Sequence, residues 1–377
     1  MKKHFYAVWV NYLPNSAPTN RMLSYLEAWS KQDVDVTVVF TLPDRHFSKV
    51  PFQYSNIQYK YLWDVVSCKW RLFHYLIYGI YVRKFRNSLK SGDNVYVYGQ
   101  ANLLPLLRKR DDIMVYHETT EHPAVIPLGV KLHKISLKDY MDCCLKLNGI
   151  FVISSQLKSF FVEKGIDKER IEIVNMTVES TRFEGVVKRT GKFYIAYCGN
   201  ASNNKDGVDR LIKAFAMISS KYQDLFLYII GQAPNQNEKD SNVQLAIDLG
   251  IADKVVFTGT VNYNELPQIL TDAAILALCR PDSLQAKYGF PTKLGEYLLS
   301  GNPIVITDTG DISKFLVNQD SAMIVDPNNI EDFALKIGWL IDHPEEAKRI
   351  GEKGQKVALK HFNARTEAKK IVDFMFK

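Results

Sequence analysis

Short apolar runs alternate with helical patterns along the first half of the chain. Met22, Leu26 and Trp29, for example, recur at helical spacing between the first two runs. Such near-continuous apolar strands are typical of a parallel sheet that helices cover on both faces. The predicted strands are Phe5–Val10, Val36–Thr41, Ile57–Leu62, Val95–Tyr98, Ile113–Tyr116, Ile150–Ile153 and Ile171–Val174.

A second series of the same kind begins at Phe193, and after Asp326 the pattern is helical to residue 377. The pattern predicts an α/β protein with two Rossmann-like domains, whose ligands bind at the carboxyl ends of the strands. With two domains, the cleft between them is the expected active site. The predicted strands are Phe193–Cys198, Leu225–Ile230, Val255–Phe257, Ala274–Leu278, Pro303–Ile306 and Ala322–Val325.

The domain boundaries follow from a stretch without apolar period, Thr177 to Thr190. We expect an N-terminal domain at residues 1–185 and a C-terminal domain at 190–360. A helix at 361–377 is expected to pack back on the N-terminal domain.

Composition adds that the chain is globular, with 46% hydrophobic and 24% charged residues in 377. The longest apolar candidate, Leu72 to Val82, is too short to span a membrane and contains His74. The five cysteines do not form a disulfide framework or a zinc spacing. These features predict a cytoplasmic protein.

The net charge of +7 is unevenly placed. Residues 1–190 hold 27 Lys and Arg against 18 Asp and Glu, whereas residues 191–377 hold 21 against 23. No nucleic-acid-binding signature accompanies the basic half, so we expect no nucleic-acid partner. Neither domain has a GxGxxG turn after its first strand, which argues against a dinucleotide dehydrogenase.

Two segments carry candidate chemistry. In the first, a strand ends at Gly199-Asn200, and Lys205 precedes a helix that begins near Val208. A glycine lets backbone approach a ligand, and free N–H groups at a helix start favour an anion. Lys205 adds positive charge there, although a solvated loop lysine is the alternative.

The second segment runs from Tyr288-Gly289-Phe290 through Pro291-Thr292-Lys293 to Glu296. Pro291 suits a first helical position, which leaves Thr292 and Lys293 as donors for phosphate oxygens. Glu296, one turn later, could accept the two hydroxyls of a ribose. The alternative is a capped helix with a surface glutamate.

With these segments in place, the second half of the chain resembles the retaining glycosyltransferases of family 4, which have the GT-B fold. In that fold two Rossmann-like domains with parallel sheets face an interdomain cleft. The resemblance rests on four elements in order: the Gly199 loop with Lys205 to Val208, Ile229 to Gly231, Val255 to Val261, and Gly289 to Glu296 with Gly301 to Val305. The first half resembles the family only in its pattern.

The resemblance implies roles for individual residues. Lys205 would neutralise the donor diphosphate, Glu296 would bind the nucleotide ribose, and Thr260 and Val261 would flank the base. His117 matches in position a histidine that contacts the donor sugar. Further candidate sugar or acceptor contacts in the first half are Glu118, Glu121, Asn20 and Arg21.

Two positions depart from the family. Asn200 stands where the family has a diphosphate arginine, and Tyr288 stands where it has its first glutamate. We therefore predict that Lys293 takes the arginine's share of the diphosphate charge. Transfer would need neither metal nor cofactor, because the leaving diphosphate can itself take the acceptor proton while the protein stabilises its charge.

Residues 60–90 carry seven basic residues among several aromatic ones, with Asp64 as the sole acidic residue. This mixture fits a peripheral contact with an anionic membrane surface, and hence a lipid-linked acceptor. A partly buried helix with a solvated basic end is the alternative.

The sequence thus predicts a retaining glycosyltransferase that moves a sugar from a nucleotide-sugar donor to a glycan or lipid-linked acceptor, in surface polysaccharide synthesis. The alternatives are a GT-B nucleotide-sugar epimerase, which needs no acceptor, and a non-catalytic homologue that binds partners or glycans. A peripheral membrane scaffold would leave Lys205 and Glu296 without a role.

Overall fold

The structure, a computed structural model, describes residues 2–14, 16–65, 68–189 and 191–377. The chain divides into two compact units, with Met1–Asn175 and Ala364–Lys377 in unit 1 and Met176–Asn363 in unit 2. The sequence placed the first boundary about ten residues later, because the stretch after Asn175 lacks apolar period. That stretch packs within unit 2, although Thr190 at its end lies outside the described residues.

Unit 1 contains a seven-stranded parallel sheet with the order β3-β2-β1-β4-β5-β8-β9 and a separate two-stranded hairpin. The sheet strands are β1 (Lys3–Trp9), β2 (Val34–Phe40), β3 (Ile57–Tyr61), β4 (Asn94–Tyr98), β5 (Met114–Thr119), β8 (Gly149–Val152) and β9 (Ile171–Ile173). The hairpin strands are β6 (Gly129–Val130) and β7 (His133–Lys134). The first helices are α1 (Ala17–Ser30), α2 (Arg71–Ser88), α3 (Leu104–Leu107), α4 (Leu137–Cys144) and α5 (Ser155–Glu163).

The core of unit 1 forms where α1 packs on the sheet. Ser16 caps the helix by accepting a hydrogen bond from the N–H of Thr19, which fixes its start at Ala17. Met22, Leu26 and Trp29 are fully buried, so the helical spacing in the sequence marked the packed face correctly. Burying such side chains stabilises the unit by about 2–3 kcal/mol each.

Unit 2 contains a six-stranded parallel sheet with the order β12-β11-β10-β13-β14-β15. Its strands are β10 (Phe193–Cys198), β11 (Leu225–Ile230), β12 (Val255–Gly259), β13 (Ile275–Leu278), β14 (Ile304–Thr307) and β15 (Met323–Val325). Its helices are α6 (Asn203–Asp206), α7 (Val208–Ser219), α8 (Gln236–Asp248), α9 (Leu266–Asp272), α10 (Leu284–Tyr288), α11 (Lys293–Leu299), α12 (Ile312–Phe315), α13 (Ile330–Asp342) and α14 (Pro344–His361).

The strand order of unit 2 reverses between β10 and β13. In open parallel sheets, ligands bind beyond the carboxyl ends of the strands at such a point. The loop after β10 begins with Gly199, so the first candidate segment of the sequence lies at the expected edge of this sheet. The prediction of an α/β protein with two parallel sheets is confirmed.

The chain then returns to unit 1 through α15 (Ala364–Met375). Ala368 and Ile371 are fully buried in the core that contains Trp29, and the Trp29 indole N–H donates to the carbonyl oxygen of Ala368 at 3.0 Å. The Tyr116 hydroxyl donates to the carbonyl oxygen of Met375 at 3.1 Å. The last helix therefore completes the core of the first unit.

Candidate functional site

The loop after β10 requires glycine. Gly199 adopts a φ of 152°, and its N–H donates to the carbonyl oxygen of Ile230 at 2.9 Å. A Cβ on Gly231, at the end of β11, would overlap the Gly199 carbonyl oxygen. The two loops therefore pack backbone against backbone, and the Gly199 backbone is presented at the carboxyl edge of the sheet.

Lys293 fills the space that the missing Gly199 side chain leaves, because a Cβ there would overlap the Lys293 ammonium. The Lys293 side chain is only 16% exposed and forms an ion pair with Asp206. Its Nζ donates to the Tyr197 hydroxyl at 2.8 Å. Lys293 therefore lies beside the Gly199 loop rather than in solvent.

A buried charge cluster surrounds Asp206. The Arg280 Nε lies 3.8 Å from Asp206 Oδ1, and both side chains are almost completely buried. Burial alone would raise the pKa of Asp206, but Lys293 and Arg280 outweigh it and hold that pKa below its usual range. Burial lowers the pKa of Lys293, and the negative charge of Asp206 partly offsets this decrease. Two basic groups flanking a single carboxylate favour an additional anion nearby.

Lys205 and Asn200 border the same loop. Lys205 lies in α6, where its N–H donates to the Ser202 hydroxyl at 3.3 Å and its carbonyl accepts from Arg280 Nε at 3.3 Å. Its side chain is partly exposed, whereas Asn200 is exposed. Both residues lie after β10, at the carboxyl edge of the unit 2 sheet.

The second segment differs from the prediction at its start. The helix begins at Lys293, with Thr292 exposed at the N-cap position and Pro291 in a preceding turn whose carbonyl accepts from the Leu294 N–H at 3.0 Å. Phe290, predicted to contact the donor, is 7% exposed and packs on the rings of Phe315 and Phe362. Its side chain thus belongs to the core.

The other two donor-binding candidates of this segment precede Phe290. Gly289 is buried, and Tyr288 is partly exposed at the end of α10, with the Lys287 ammonium 5.5 Å from the centre of its ring. The structure places Tyr288 where a polar side chain can still face solvent.

Glu296 is paired with an arginine that the sequence did not single out. The Arg182 Nη1 bonds Glu296 Oε1, and its Nη2 donates to the Tyr263 carbonyl oxygen at 2.7 Å. The guanidinium lies 3.5 Å from the centre of the Tyr263 ring. The separation of 114 residues between Arg182 and Glu296 gave the sequence no local signal of this pair.

A cavity of about 460 Å³ opens at the ends of β10, β11 and β12. Its lining includes backbone at Gly231 and Gly259 and the polar side chains of Gln232 and Asn235. Thr260, exposed, and Val261, partly exposed, follow this lining directly in the chain. The stretch predicted to flank a base therefore borders a cavity large enough for a planar heterocycle.

In unit 1 the structure contradicts the role predicted for His117. The imidazole is 1% exposed, with Nδ1 3.1 Å from the Val97 carbonyl oxygen and Nε2 3.1 Å from the Tyr140 hydroxyl. Burial lowers the pKa of His117 to about 4. Both ring nitrogens are occupied inside the core, so His117 cannot contact a sugar in this conformation.

Glu118 and Arg21 are also structural. The Glu118 carboxylate is fully buried, accepts from Arg21 Nε at 2.7 Å, and bonds the hydroxyl of Tyr96 at 2.5 Å. A carboxylate with these partners has no role as a sugar-hydroxyl acceptor. Glu121 and Asn20, in contrast, are partly exposed.

The described residues contain no group of three or more His, Cys, Asp or Glu side chains that could hold a metal ion. No helix in the described part of the chain combines the length and apolar character that a membrane span requires.

Comparison with known proteins adds three findings. Residues 179–357 match the model of the family described as glycosyl transferases group 1. An MMP alpha-(1->4)-mannosyltransferase of Mycolicibacterium hassiacum is 24% identical over 222 residues, 59% of this chain and 52% of that protein. A GDP-mannose-dependent alpha-(1-6)-phosphatidylinositol monomannoside mannosyltransferase of Mycolicibacterium smegmatis is 25% identical over 173 residues, 45% of this chain and 44% of that protein. The chain thus spans about half the length of these two relatives.

Solved structures extend the likeness to the fold of the whole chain. HepE of Anabaena, in complex with UDP, has a TM-score of 0.73 at 14% identity and covers 99% of both chains. Sucrose-phosphate synthase of Thermosynechococcus elongatus has a TM-score of 0.76 at 13% identity, covering 99% of this chain and 98% of that one. Identities this low show only that the fold is shared. The shared fold confirms the prediction of the GT-B class.

Proposed function

Since residues 179–357 match the model of glycosyl transferases group 1, we propose that the protein transfers a hexose from a nucleoside-diphosphate sugar to a glycan or lipid-linked acceptor, with retention. The observation that carries the proposal is the place of Lys293, buried against Gly199 at the carboxyl edge of the unit 2 sheet. This is the position at which such sheets bind anionic ligands.

The donor binds along the edge of unit 2. Its diphosphate lies at the Gly199 loop beside Lys293 and Lys205, where the basic cluster stabilises negative charge. Its ribose faces Glu296, and its base occupies the cavity that Gln232 and Thr258 line. The UDP named in the HepE structure supports a nucleotide ligand for this fold.

Transfer then forms one bond and breaks one. The acceptor hydroxyl oxygen attacks the anomeric carbon on the face from which the diphosphate leaves. The departing diphosphate oxygen takes the hydroxyl proton, so the products are the glycoside and a nucleoside diphosphate. Charge develops on the leaving oxygens, and a preorganised positive cluster is worth most there because it needs no reorganisation.

A surface of unit 1 supports a lipid-linked acceptor and peripheral contact with the inner face of a membrane. On α2, Leu72, Leu76 and Ile80 form a stripe at helical spacing and are 47%, 62% and 52% exposed. Arg83 and Lys84 extend the stripe and are also exposed. Apolar side chains bordered by basic ones suit an anionic lipid surface.

The β6–β7 hairpin enlarges this surface. The His133 Nε2 lies 2.6 Å from the Tyr75 carbonyl oxygen of α2, and Leu132 at the hairpin tip is 62% exposed. Lys131 and Lys134 beside it are exposed as well. A lipid-linked acceptor held at this surface fits a role of the protein in surface polysaccharide synthesis.

A thermal-shift panel with UDP, GDP, ADP, dTDP and their sugars tests the proposal. A ligand present at 100 times its Kd adds about 2.7 kcal/mol to the free energy of unfolding, which raises Tm measurably. Incubation of the stabilising sugar nucleotide with candidate acceptors should then release its nucleoside diphosphate. The new glycosidic linkage should have the same anomeric configuration, α or β, as the donor. A changed sugar nucleotide formed without acceptor would instead indicate an epimerase, and the absence of any stabilising nucleotide would indicate a non-catalytic protein.

A further inference from the structure

Arg182 lies outside the unit 2 sheet, in a 3₁₀ turn formed by Ser180–Phe183. The following residues hold this segment against α9, since the Arg189 guanidinium pairs with Asp272 at 2.6 Å and the Lys188 ammonium donates to the Ala273 carbonyl oxygen at 2.7 Å. The segment is therefore a fixed part of unit 2, and Arg182 has a defined place in it.

A glycine lets the segment reach Glu296. A Cβ on Gly295, the residue before Glu296, would overlap the Met176 side chain and lie 3.0 Å from Val178 Cβ. Because Gly295 has no side chain, the start of the segment passes directly over α11. Four residues further along, Arg182 meets the Glu296 carboxylate.

Three contacts hold the Arg182 guanidinium, which is 11% exposed. One is the bond to Glu296 Oε1, and the other two are the stacking on the Tyr263 ring and the bond to the Tyr263 carbonyl oxygen. Tyr263 lies in the loop after β12 that also contains Thr260 and Val261. Arg182 thus ties the loop at the base cavity to the carboxylate assigned to the ribose.

The ion pair with Arg182 occupies one of the two carboxylate oxygens of Glu296. Glu296 Oε2 accepts no hydrogen bond from the residues that the structure describes. A carboxylate oxygen offers about two acceptor sites, so Oε2 can receive both hydroxyls of a ribose while Oε1 stays with Arg182.

Arg182 also affects the pKa of Glu296. Burial raises the pKa of Glu296, Arg182 opposes that rise, and Glu179 adds to it. Without Arg182 the pKa of Glu296 would rise further, and the carboxyl group would protonate at a higher pH. The other titratable groups that interact with Glu296 are Cys198 at the end of β10, Tyr263 and Tyr297.

We infer that Arg182 is a positioning residue of the nucleoside site, which holds the Glu296 carboxylate with Oε2 directed to the ribose and fixes the loop beside the base. The inference rests on the proposed function, since it deepens the account of how the donor nucleotide binds. It identifies the segment before β10 as part of the donor site, although this segment contributes nothing to the sheet.

The experiment measures the Kd of the cognate nucleoside diphosphate between pH 5.5 and 8 for wild type, Arg182→Gln, Arg182→Lys and Arg189→Gln. Arg189 is the matched control, because it lies in the same segment and pairs with the Asp272 carboxylate of α9 but does not contact Glu296. Arg182→Gln should weaken binding about tenfold at pH 8, the scale of one lost charge-assisted hydrogen bond. Below the raised pKa, affinity should fall by a further factor of up to about ten per pH unit.

Arg182→Lys keeps the charge and should return the pH profile towards that of the wild type, although not the full affinity, because it cannot bond Glu296 and Tyr263 together. Arg189→Gln should stay within about twofold of the wild type at each pH, because an exposed ion pair contributes little. In a Glu296→Gln background, adding Arg182→Gln should no longer change the pH profile.

Direct titration of the Glu296 carboxyl group by isotope-edited NMR, without nucleotide, supplies the second readout and shows whether each variant is folded. A higher Glu296 pKa in Arg182→Gln than in Arg189→Gln supports the inference. Wild-type binding with the same pH profile in Arg182→Gln overturns it and leaves the proposed function standing. Tighter binding in Arg182→Gln also overturns it, since Arg182 would then block the ribose. A wild type that binds no nucleotide overturns both.

Discussion

At the residue scale, the absence of a side chain at Gly199 gives Lys293 its place. The ammonium occupies the volume that a Cβ would take and meets Asp206 beneath the loop. Asp206 in turn holds Lys293 and Arg280 together at the carboxyl edge of the unit 2 sheet. A lysine fixed in this way loses little side-chain entropy on binding an anion, which suits the diphosphate role proposed for it.

We expect Lys293→Met to lower kcat by about 10²–10³, the scale of one lost preorganised contact to developing charge. Removing Lys293 alone also leaves Asp206 with one cation fewer, which destabilises a buried carboxylate. The double variant Asp206→Asn/Lys293→Met removes that carboxylate and separates the two effects. Steady-state turnover and thermal unfolding of both variants provide the measurement.

Asn200→Arg offers a gain-of-function control for the same assignment. The exposed Asn200 side chain follows Gly199, so an arginine there would bring positive charge to the same loop. It should restore part of the turnover lost in Lys293→Met. Near-normal turnover of Lys293→Met itself would remove Lys293 from the diphosphate site and leave Lys205 as its cation.

His117 should make unit 1 sensitive to acid. Its pKa of about 4 in the folded state lies below the ordinary value of 6.5, so the unfolded chain binds the proton first as pH falls. Stability from this residue is complete above pH 6.5 and is lost between pH 6.5 and 4, by up to about 3 kcal/mol. Urea unfolding of wild type and His117→Gln at pH 7 and 4.5 measures the change.

The difference in unfolding free energy between these two proteins should shrink at the lower pH, because glutamine carries no titrating proton. Other acid-sensitive groups are present in both proteins and cancel in the comparison. A difference that stays constant would contradict the buried, neutral state of His117.

At the element scale, α11 organises the site. Lys293 and Glu296 are three residues apart and therefore project from the same side of the helix. The Tyr297 hydroxyl lies 2.5 Å from the Cys198 N and 3.0 Å from the Cys198 carbonyl oxygen. A short helix bonded to the last residue of β10 thus carries the lysine to the Gly199 loop and the glutamate to the Arg182 segment.

Most strands were predictable because they are continuous apolar runs, whereas the polar end of β5, His117 to Thr119, was predicted as a loop. Phe193–Cys198 and Leu225–Ile230 have the predicted bounds. The orientation of side chains within such strands was not predictable, since both faces of the sheet are buried and alternation carries no signal. His117 and Glu118 were placed after the end of the predicted strand Ile113–Tyr116, whereas β5 includes both, so both proved to be core residues.

Arg182 escaped prediction for a different reason. Its partners, Glu296 and Tyr263, are distant in sequence and come together only through the fold. Local spacing identifies residues that share one element, such as Lys293 and Glu296. It cannot identify a pair that depends on Gly295 allowing another segment to pass.

The exposed face of α2 is the second element with a testable role. The triple variant Arg83→Gln/Lys84→Gln/Arg86→Gln should weaken binding to anionic liposomes by about 10², from roughly 1 kcal/mol per charge. The matched control is Lys348→Gln/Lys356→Gln/Lys360→Gln on α14, which removes the same charge from exposed positions of unit 2. Liposome co-sedimentation at physiological salt measures both.

Leu76→Gln should also weaken liposome binding, because it interrupts the apolar stripe without changing charge. Activity on a short soluble acceptor should survive all these changes. Equal binding by the two triple variants, or a wild type that ignores anionic liposomes, would contradict the membrane contact.

At the scale of the whole molecule, the chain passes between the units twice, at Asn175–Met176 and at Asn363–Ala364. Unit 2 is therefore one continuous stretch, whereas unit 1 is assembled from two. The second piece is held by buried apolar side chains, by the Trp29 indole N–H and by the bond from the Asn175 N–H to Glu367 Oε2 at 2.7 Å. The stability of unit 1 consequently depends on residues that follow unit 2 in the chain.

Ile371→Ala should destabilise unit 1 by about 2–5 kcal/mol, as expected for a fully buried aliphatic side chain. Native-state hydrogen exchange should show lower protection in β1 and β2 but unchanged protection in β10 and β11. The reciprocal variant Ile337→Ala, at an equally buried position of α13, should lower protection in unit 2 instead. Loss of protection in both sheets on Ile371→Ala would contradict the assignment of α15 to unit 1 alone.

The two-piece construction of unit 1 also bears on how the protein is made. A ribosome adding about 5–20 residues per second needs roughly 10–40 seconds to synthesise residues 176–363. Throughout that time the nascent first sheet lacks α15, and the surface around Trp29 that α15 covers stays open. Unit 2 can fold as soon as residues 176–363 have emerged. It is therefore complete before unit 1, although the chain begins with unit 1. A translational stop anywhere between residues 176 and 363 would release a chain whose first unit displays an apolar face, the kind of surface that chaperones and proteases recognise.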